Sequence, residues 1–328
     1  MAFAHLLLAL AVIVVWGTNF VIIKLGLGEL PPLLFATLRF AFSCLPWVFF
    51  MRRPRVAWWL MIANGFFLGF GMFGVLFIAM RADITPGVAS LLVQTQAFFT
   101  IALSMLLLGE RVRAFQLAGL VLCIAGLALF FWHVDANTTL RGLLLTLGCG
   151  LSWAIANLVA KRAATSTPKQ DSGPAPADSH VVQPEPSFNM LGFMVWSSLF
   201  AVPPLFAASL VLEGPDRIGM ALTHASVFGW SASLWQGVAN TLFGFGAWNW
   251  LLARYPAATV SPLSLLVPVV GMASAALAFA EPLPVWKLVA GGLILLGLAT
   301  ITLWSRLRAR FAAQRLLQGN NLDVWTPK

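Results

Sequence analysis

Asn19, Gln94 and Asn157 each sit deep inside a long apolar run of this 328-residue sequence. Polar side chains are expensive in hydrocarbon, so in such runs they face a cavity or a partner. Their amides donate and accept hydrogen bonds, which suits reversible recognition of a polar solute. Trp16 lies three residues before Asn19 and shares its helical face; Trp153 and Asn157, four apart, can supply a matching wall. Ser90 and Gln94 also share a face. Gln96 is turned roughly 200° from Gln94 at about 100° per residue, so both cannot point into one cavity. Further on, Ser261, Ser264 and Pro268 lie on one face, and the proline frees a backbone carbonyl and permits a kink. Against these readings stands a plainer one, in which Trp16 packs and the small polar residues hold helices together.

Arg39 lies about two turns into its apolar run. Two readings stay open for it: attraction of a carboxylate, or pairing with helix-end carbonyls near the outer surface. Lys24 lies two turns beyond Trp16, where its stem can snorkel toward water.

Bond-making chemistry has little to work with. His5, His133, His180 and His224 lie at or outside the ends of the apolar runs, and no run holds a pair of acids or an HExxH motif. Glu110, Glu281 and Asp83 fall at run ends, where solvated acids are ordinary, and none lies near a run centre. A membrane-embedded enzyme is therefore not expected, nor is a metal or a cofactor. A channel would need polar rings from several chains, so a monomeric carrier is expected instead.

The elements that must position these residues are membrane helices. Hydrophobic residues make up 60% of the chain and charged residues 9%, with a mean hydropathy of +0.88. A helix of about 20 apolar residues crosses a hydrocarbon core of about 30 Å. Ten such spans are expected, at 4–24, 32–50, 57–79, 85–108, 114–132, 142–160, 189–211, 226–252, 257–279 and 284–304. Pro31-Pro32, Arg52-Arg53-Pro54-Arg55, Asp83–Pro86, Glu110–Arg113 and Asp135–Thr139 mark breaks.

The net charge of +9 sits in the breaks, so it reads as an orientation signal and not as a nucleic-acid surface. One set of breaks holds Arg52, Arg53, Arg55, Arg111, Arg113, Lys161, Arg162, Lys169, Arg254, the arginines after Trp304 and Lys328; the other holds Lys24, Arg81, Arg141, Arg217 and Lys287. That bias places both termini in the cytoplasm. The first run lacks a positive n-region and reads as a retained membrane helix. Residues 165–187, rich in Pro, Ser, Asp and Gln, are expected to form a disordered cytoplasmic loop. The tail 307–328 is basic and is expected at the inner membrane surface. Cys44, Cys123 and Cys149, each within an apolar run, read as small packing residues.

The sequence repeats. The stretch from Gly87 aligns without gaps with the stretch from Ala258, so that Ser90 meets Ser261, Glu110 meets Glu281 and Gly126 meets Gly297. Trp16–Lys24 likewise aligns with Trp153–Lys161. The expected division is residues 1–137 and 138–306, with five spans in each. An odd number per half means that the second half enters from the opposite side. Inverted repeats of this kind place a solute site near the midplane, between the halves.

WGTNFVIIKLGLGELPPLLFATLRF (Trp16–Phe40), GER at Gly109–Arg111 and SLLVPVVGMASAALAFAE (Ser264–Glu281) resemble the EamA branch of the drug/metabolite transporter superfamily. Within it, RFAF at Arg39–Phe42, LVQTQAFFT at Leu92–Thr100 and SWAIANLVAKR at Ser152–Arg162 are most similar to the O-acetylserine/cysteine exporters of bacterial inner membranes. The resemblance implies an all-α fold of ten transmembrane helices around a central cavity. It also implies export of a small amino-acid metabolite, with no partner beyond that solute and membrane lipid. An exporter of another amino acid, aromatic or hydrophobic, is the alternative. A zwitterionic solute needs donors for its carboxylate and acceptors for its ammonium. Trp16, Asn19, Arg39, Ser90, Gln94, Trp153, Asn157, Ser261, Ser264 and Pro268 are the candidates. One departure stands out: the ninth span ends AEPLP, so Glu281 lacks the adjoining arginine that Glu110 has in Arg111.

Overall fold

The computed structural model describes residues 1–108, 114–133, 137–166, 189–255 and 260–300, the side chains of Leu108, Ala253, Ser261 and Pro262 excepted. Every regular element among them is helical. In chain order these are α1 (Phe3–Gly26), α2 (Pro32–Cys44), α3 (Trp58–Ala82), α4 (Pro86–Leu107), α5 (Ala114–Trp132), α6 (Leu140–Ser166) and α7 (Met190–Leu212). There follow the short α8 (Pro215–His224), then α9 (227–254), α10 (Leu263–Phe279) and α11 (Val285–Thr300). Among the described residues, seven helical stretches are long and apolar enough to cross a membrane, α2 being counted through to Phe49; α10 and α11 are shorter apolar helices. The expected segment 165–187 falls outside the described residues except for Thr165 and Ser166, which complete α6. Glu110, Arg111, Asp135 and the tail also lie outside them.

The helices begin where their chemistry dictates. Proline opens α2 and α4, where a missing N–H is harmless. Asn189 caps α7 and Ser226 caps α9 through their side-chain oxygens. α8, which falls between the expected spans 189–211 and 226–252, starts after Gly214 at a positive φ of 85°.

Two kinds of irregularity recur. α3 carries a π-helical stretch at Gly65–Gly74, and α9 carries one at Trp235–Phe243. α4 tightens to a 3-10 turn at Val93–Thr95, and α10 begins from one at Ser261–Leu265. Such breaks re-aim side chains and often mark functional positions.

The helix ends sort into two faces. At the face holding the N-terminus, His5 Nδ1 lies 2.6 Å from the Tyr255 hydroxyl, and Trp196 Nε1 donates to Met51 O at 3.1 Å. At the opposite face, carboxylates seat helix starts. Glu213 accepts from Leu33 N at 2.7 Å and Leu34 N at 3.0 Å; Glu29 accepts from Ser226 N at 3.0 Å. Asp83 accepts from Thr139 Oγ1 at 3.1 Å, and Glu281 from Gly87 N at 3.1 Å. A carboxylate at a helix N-terminus satisfies orphan N–H groups and meets the positive end of the dipole.

Glu281 corrects an expectation. It is buried, not solvated, and Lys287, six residues on, supplies its cation at 3.1 Å. Thr85 Oγ1 adds a 2.5 Å hydrogen bond. Lys24 also turns inward, donating to Met80 O at 2.8 Å and Arg81 O at 3.0 Å, and so ties α1 to the end of α3.

The packing pairs helices across the molecule. α1 packs on α10, α4 on α6, α2 on α7 and α4 on α10. α3 packs on α6 and α7, while α9 packs on α1 and α2.

Candidate functional site

Between these helices lies a cavity of about 370 Å³. α1 brings Trp16, Asn19 and Phe20 to it, and the π stretch of α3 brings Leu68, Met72 and Phe73. α4 adds Ser90, Val93, Gln94, Gln96 and Ala97; α6 adds Trp153 and Asn157. Asn240, Phe245 and Trp248 of α9, with Ser264, Leu265 and Val267 of α10, complete most of the wall. An apolar cavity with a few convergent polar groups is the form that small-solute sites take.

The polar groups divide into engaged and open ones. Trp16 Nε1 donates to Asn240 O at 3.1 Å and fixes the indole against α9. Asn157 Nδ2 donates to Gln96 Oε1 at 2.7 Å and links α6 to α4. Ser90 Oγ turns back to Gly87 O at 2.7 Å. Asn19 Oδ1, by contrast, is buried and has no hydrogen-bond partner among the described residues. Buried polar atoms are almost always paired, so an unpaired acceptor on a residue of the cavity wall marks a candidate contact for a solute. The Gln94 side chain is also without a hydrogen bond among the described residues.

The presence of Gln96 on the wall is a correction. A uniform α-helix puts it on the face opposite Gln94. The 3-10 turn at Val93–Thr95 advances about 120° per residue instead of about 100°. Gln94 and Gln96 therefore come closer in angle, and both line the cavity. Nothing in LVQTQAFF announces the turn.

Of the residues singled out from sequence, Trp16, Asn19, Ser90, Gln94, Trp153, Asn157 and Ser264 meet at this wall. Pro268 is buried in α10 and does not line it. Ser261 belongs to the 3-10 stretch before α10, and its side chain lies outside the described residues. Sequence reasoning missed Phe73, Asn240, Phe245 and Trp248, which stand in or beside the π stretches.

Arg39 lies one layer behind the wall, fully buried. It does not reach helix-end carbonyls. Nη1 donates to Gln236 Oε1 and Nη2 to Thr241 Oγ1, the latter at 3.2 Å. Asn240, with its amide oxygen turned to the guanidinium, accepts at 3.2 and 2.7 Å. These acceptors all come from the π stretch of α9, which turns them toward α2. The guanidinium sits 3.6 Å from the centroid of the Phe73 ring.

Comparison with known proteins adds an independent line. The EamA-like transporter family matches residues 3–132 and 182–303. A protein of Salmonella typhimurium named "Probable amino-acid metabolite efflux pump" is 38% identical over 89% of this chain and 92% of its own length. One of the same name from Escherichia coli is also 38% identical, over 89% of this chain and 92% of its own length. A solved crystal structure at 19% identity covers 92% of this chain and 98% of its own, with a TM-score of 0.57, a likeness of fold.

Proposed function

The chain belongs to the EamA-like transporter family, and from that premise we propose that it exports amino-acid metabolites, first among them O-acetylserine and cysteine. The observation that carries this reading is the unpaired acceptor of Asn19, a wall residue, with the Gln94 amide, which has no hydrogen bond among the described residues, in a cavity walled largely by aromatic and apolar side chains. An ammonium group fits Asn19 Oδ1 and the faces of Trp16, Trp153 and Trp248, which attract cations. The name shared by the two efflux-pump relatives supports an amino-acid solute and an outward direction.

The architecture is read as ten spans in two inverted halves, 1–137 and 138–306. Three features support it. The π stretches of α3 and α9 and the 3-10 turns of α4 and α10 fall in matching spans. Exchanging the halves maps the main helix pairings onto one another, α1–α10 onto α6–α4, α3–α7 onto α9–α2 and α3–α6 onto α9–α1, and α2–α7 and α4–α10 onto themselves. The contacts at each face join ends that an alternating path brings together. Alternating access then comes from rocking the halves about the cavity. The basic breaks support placing both termini in the cytoplasm, and the chain is read as a monomer of the bacterial inner membrane with lipid around it.

Inverted membrane vesicles carrying the protein should accumulate O-acetylserine or cysteine faster than empty ones. Uptake of an aromatic amino acid instead, with neither of these, would replace the proposal by the aromatic reading that Trp16, Trp153, Phe245 and Trp248 favour. Asn19→Ala and Gln94→Ala are each expected to cut uptake about tenfold at unchanged membrane abundance, the loss of one hydrogen bond to a charged group. Normal flux in both would remove these residues from the site.

A further inference from the structure

Arg39 carries a positive charge that has no counter-charge among the described residues. Arginine stays protonated in proteins. Its described partners, Gln236, Thr241 and Asn240, are all neutral. The described carboxylates are occupied elsewhere: Glu29, Asp83, Glu213 and Glu281 at helix starts, and Asp216 in the first turn of α8. A buried charge without a partner is among the most unfavourable features a fold can hold. A neutral residue of similar volume would pack here at less cost, so the charge calls for an explanation outside structure.

The cavity provides one. Two of the groups that hold the guanidinium, Phe73 and Asn240, are themselves cavity wall. The charge thus stands one side chain away from the solute space, in a water-poor surround where its field is weakly screened. We propose that Arg39 is the specificity-determining residue for a solute carboxylate, acting through the Phe73–Asn240 wall without touching the solute. The carboxylate lies against that wall. The ammonium lies toward Asn19 Oδ1 and the indoles. The arrangement selects zwitterionic α-amino acids over amines that lack the carboxylate, and the bound solute supplies the missing counter-charge. Holding Arg39 back in a wall of neutral acceptors also keeps the solute from a direct ion pair, so release stays fast. The inference rests on the central cavity being the transport site.

The test uses vesicle uptake of labelled cysteine, competed by unlabelled cysteine or by cysteamine, its decarboxylated counterpart. Wild-type protein should prefer cysteine. Arg39→Gln should raise the half-inhibitory concentration of cysteine roughly tenfold, the scale of a charge pair at this remove, and leave that of cysteamine unchanged. Arg39→Lys should restore most of the preference. Gln236→Glu gives a second route that keeps the arginine: a carboxylate built beside it neutralises the charge in place and should erase the preference equally. It also covers the case in which Arg39→Gln is absent from the membrane. An unchanged cysteine-to-cysteamine ratio in Gln236→Glu, or in a stably inserted Arg39→Gln, overturns the proposal. Asn19→Ala and Gln94→Ala in the same membranes separate the two failures. If they reduce uptake while the ratio holds, the Arg39 inference fails alone. If they have no effect, the cavity is not the transport site and both readings fall.

Discussion

Replacing Glu281 with alanine is expected to destabilise the protein by about 3–5 kcal/mol, the cost of leaving a buried partner charge uncompensated. The side chains of Glu281 and Lys287 are 4% and 6% exposed, so solvent does little to screen the pair. Glu281 also serves the start of α4, accepting from Gly87 N and Thr85 Oγ1. Its loss therefore strands a lysine, a hydroxyl and a helix N-terminus together. Lys287→Met is expected to cost less, because the carboxylate it leaves behind keeps those two donors and the favourable end of the α4 dipole. The Glu281→Gln, Lys287→Met double variant should recover much of the loss, since it strands no charge. Thermal unfolding of the detergent-solubilised protein, followed by tryptophan fluorescence, ranks the three. Equal losses from the two single variants would mean that the pair acts only as an ion pair and that the seat on α4 adds nothing.

The second large effect lies at the crossing of α1 and α10. Gly17 sits between Trp16 and Asn19 on the cavity-forming helix, and a Cβ there would stand 2.6 Å from both Cβ and Cγ1 of Val270. Backbone Val267 O is 3.0 Å away on the same side, so the neighbour cannot simply turn aside. Gly17→Leu must push the helices apart, at about 1–3 kcal/mol or more. Trp16 would lose its bond to Asn240, and the cavity wall would lose its register. Uptake in vesicles is expected to fall at least a hundredfold, with Gly17→Ala intermediate. Near-normal uptake by Gly17→Leu would show that the α1–α10 contact does not set the site.

The long apolar runs made the helices legible, because hydrocarbon permits little besides a helix that satisfies its own backbone. Most of the cavity-facing polar residues were legible for the same reason: Asn19, Gln94 and Asn157 have no business in lipid. The angular placement of side chains was less accessible. Gln96, Phe73 and Asn240 reach the wall because helices change their pitch at 3-10 and π stretches, and no residue type marks those changes. The cation for Glu281 was hidden for another reason. An ordinary ion-pair search looks one turn along a helix, whereas Lys287 arrives across the proline-rich bend after α10. Arg39 was visible as an oddity, but its neutral surround depends on a π stretch nearly two hundred residues away in sequence.

All three cysteines, Cys44, Cys123 and Cys149, are buried in helix packing, and none borders the cavity. If the cargo bears a thiol and passes through this cavity, it therefore meets no cysteine with which to form a mixed disulfide. An oxidised cargo molecule likewise finds nothing to attack it. Burial of all three thiols is expected to keep the native chain unreactive toward maleimides as long as it stays folded. A single cysteine placed at the cavity would then report on solvent access without any prior removal of native thiols.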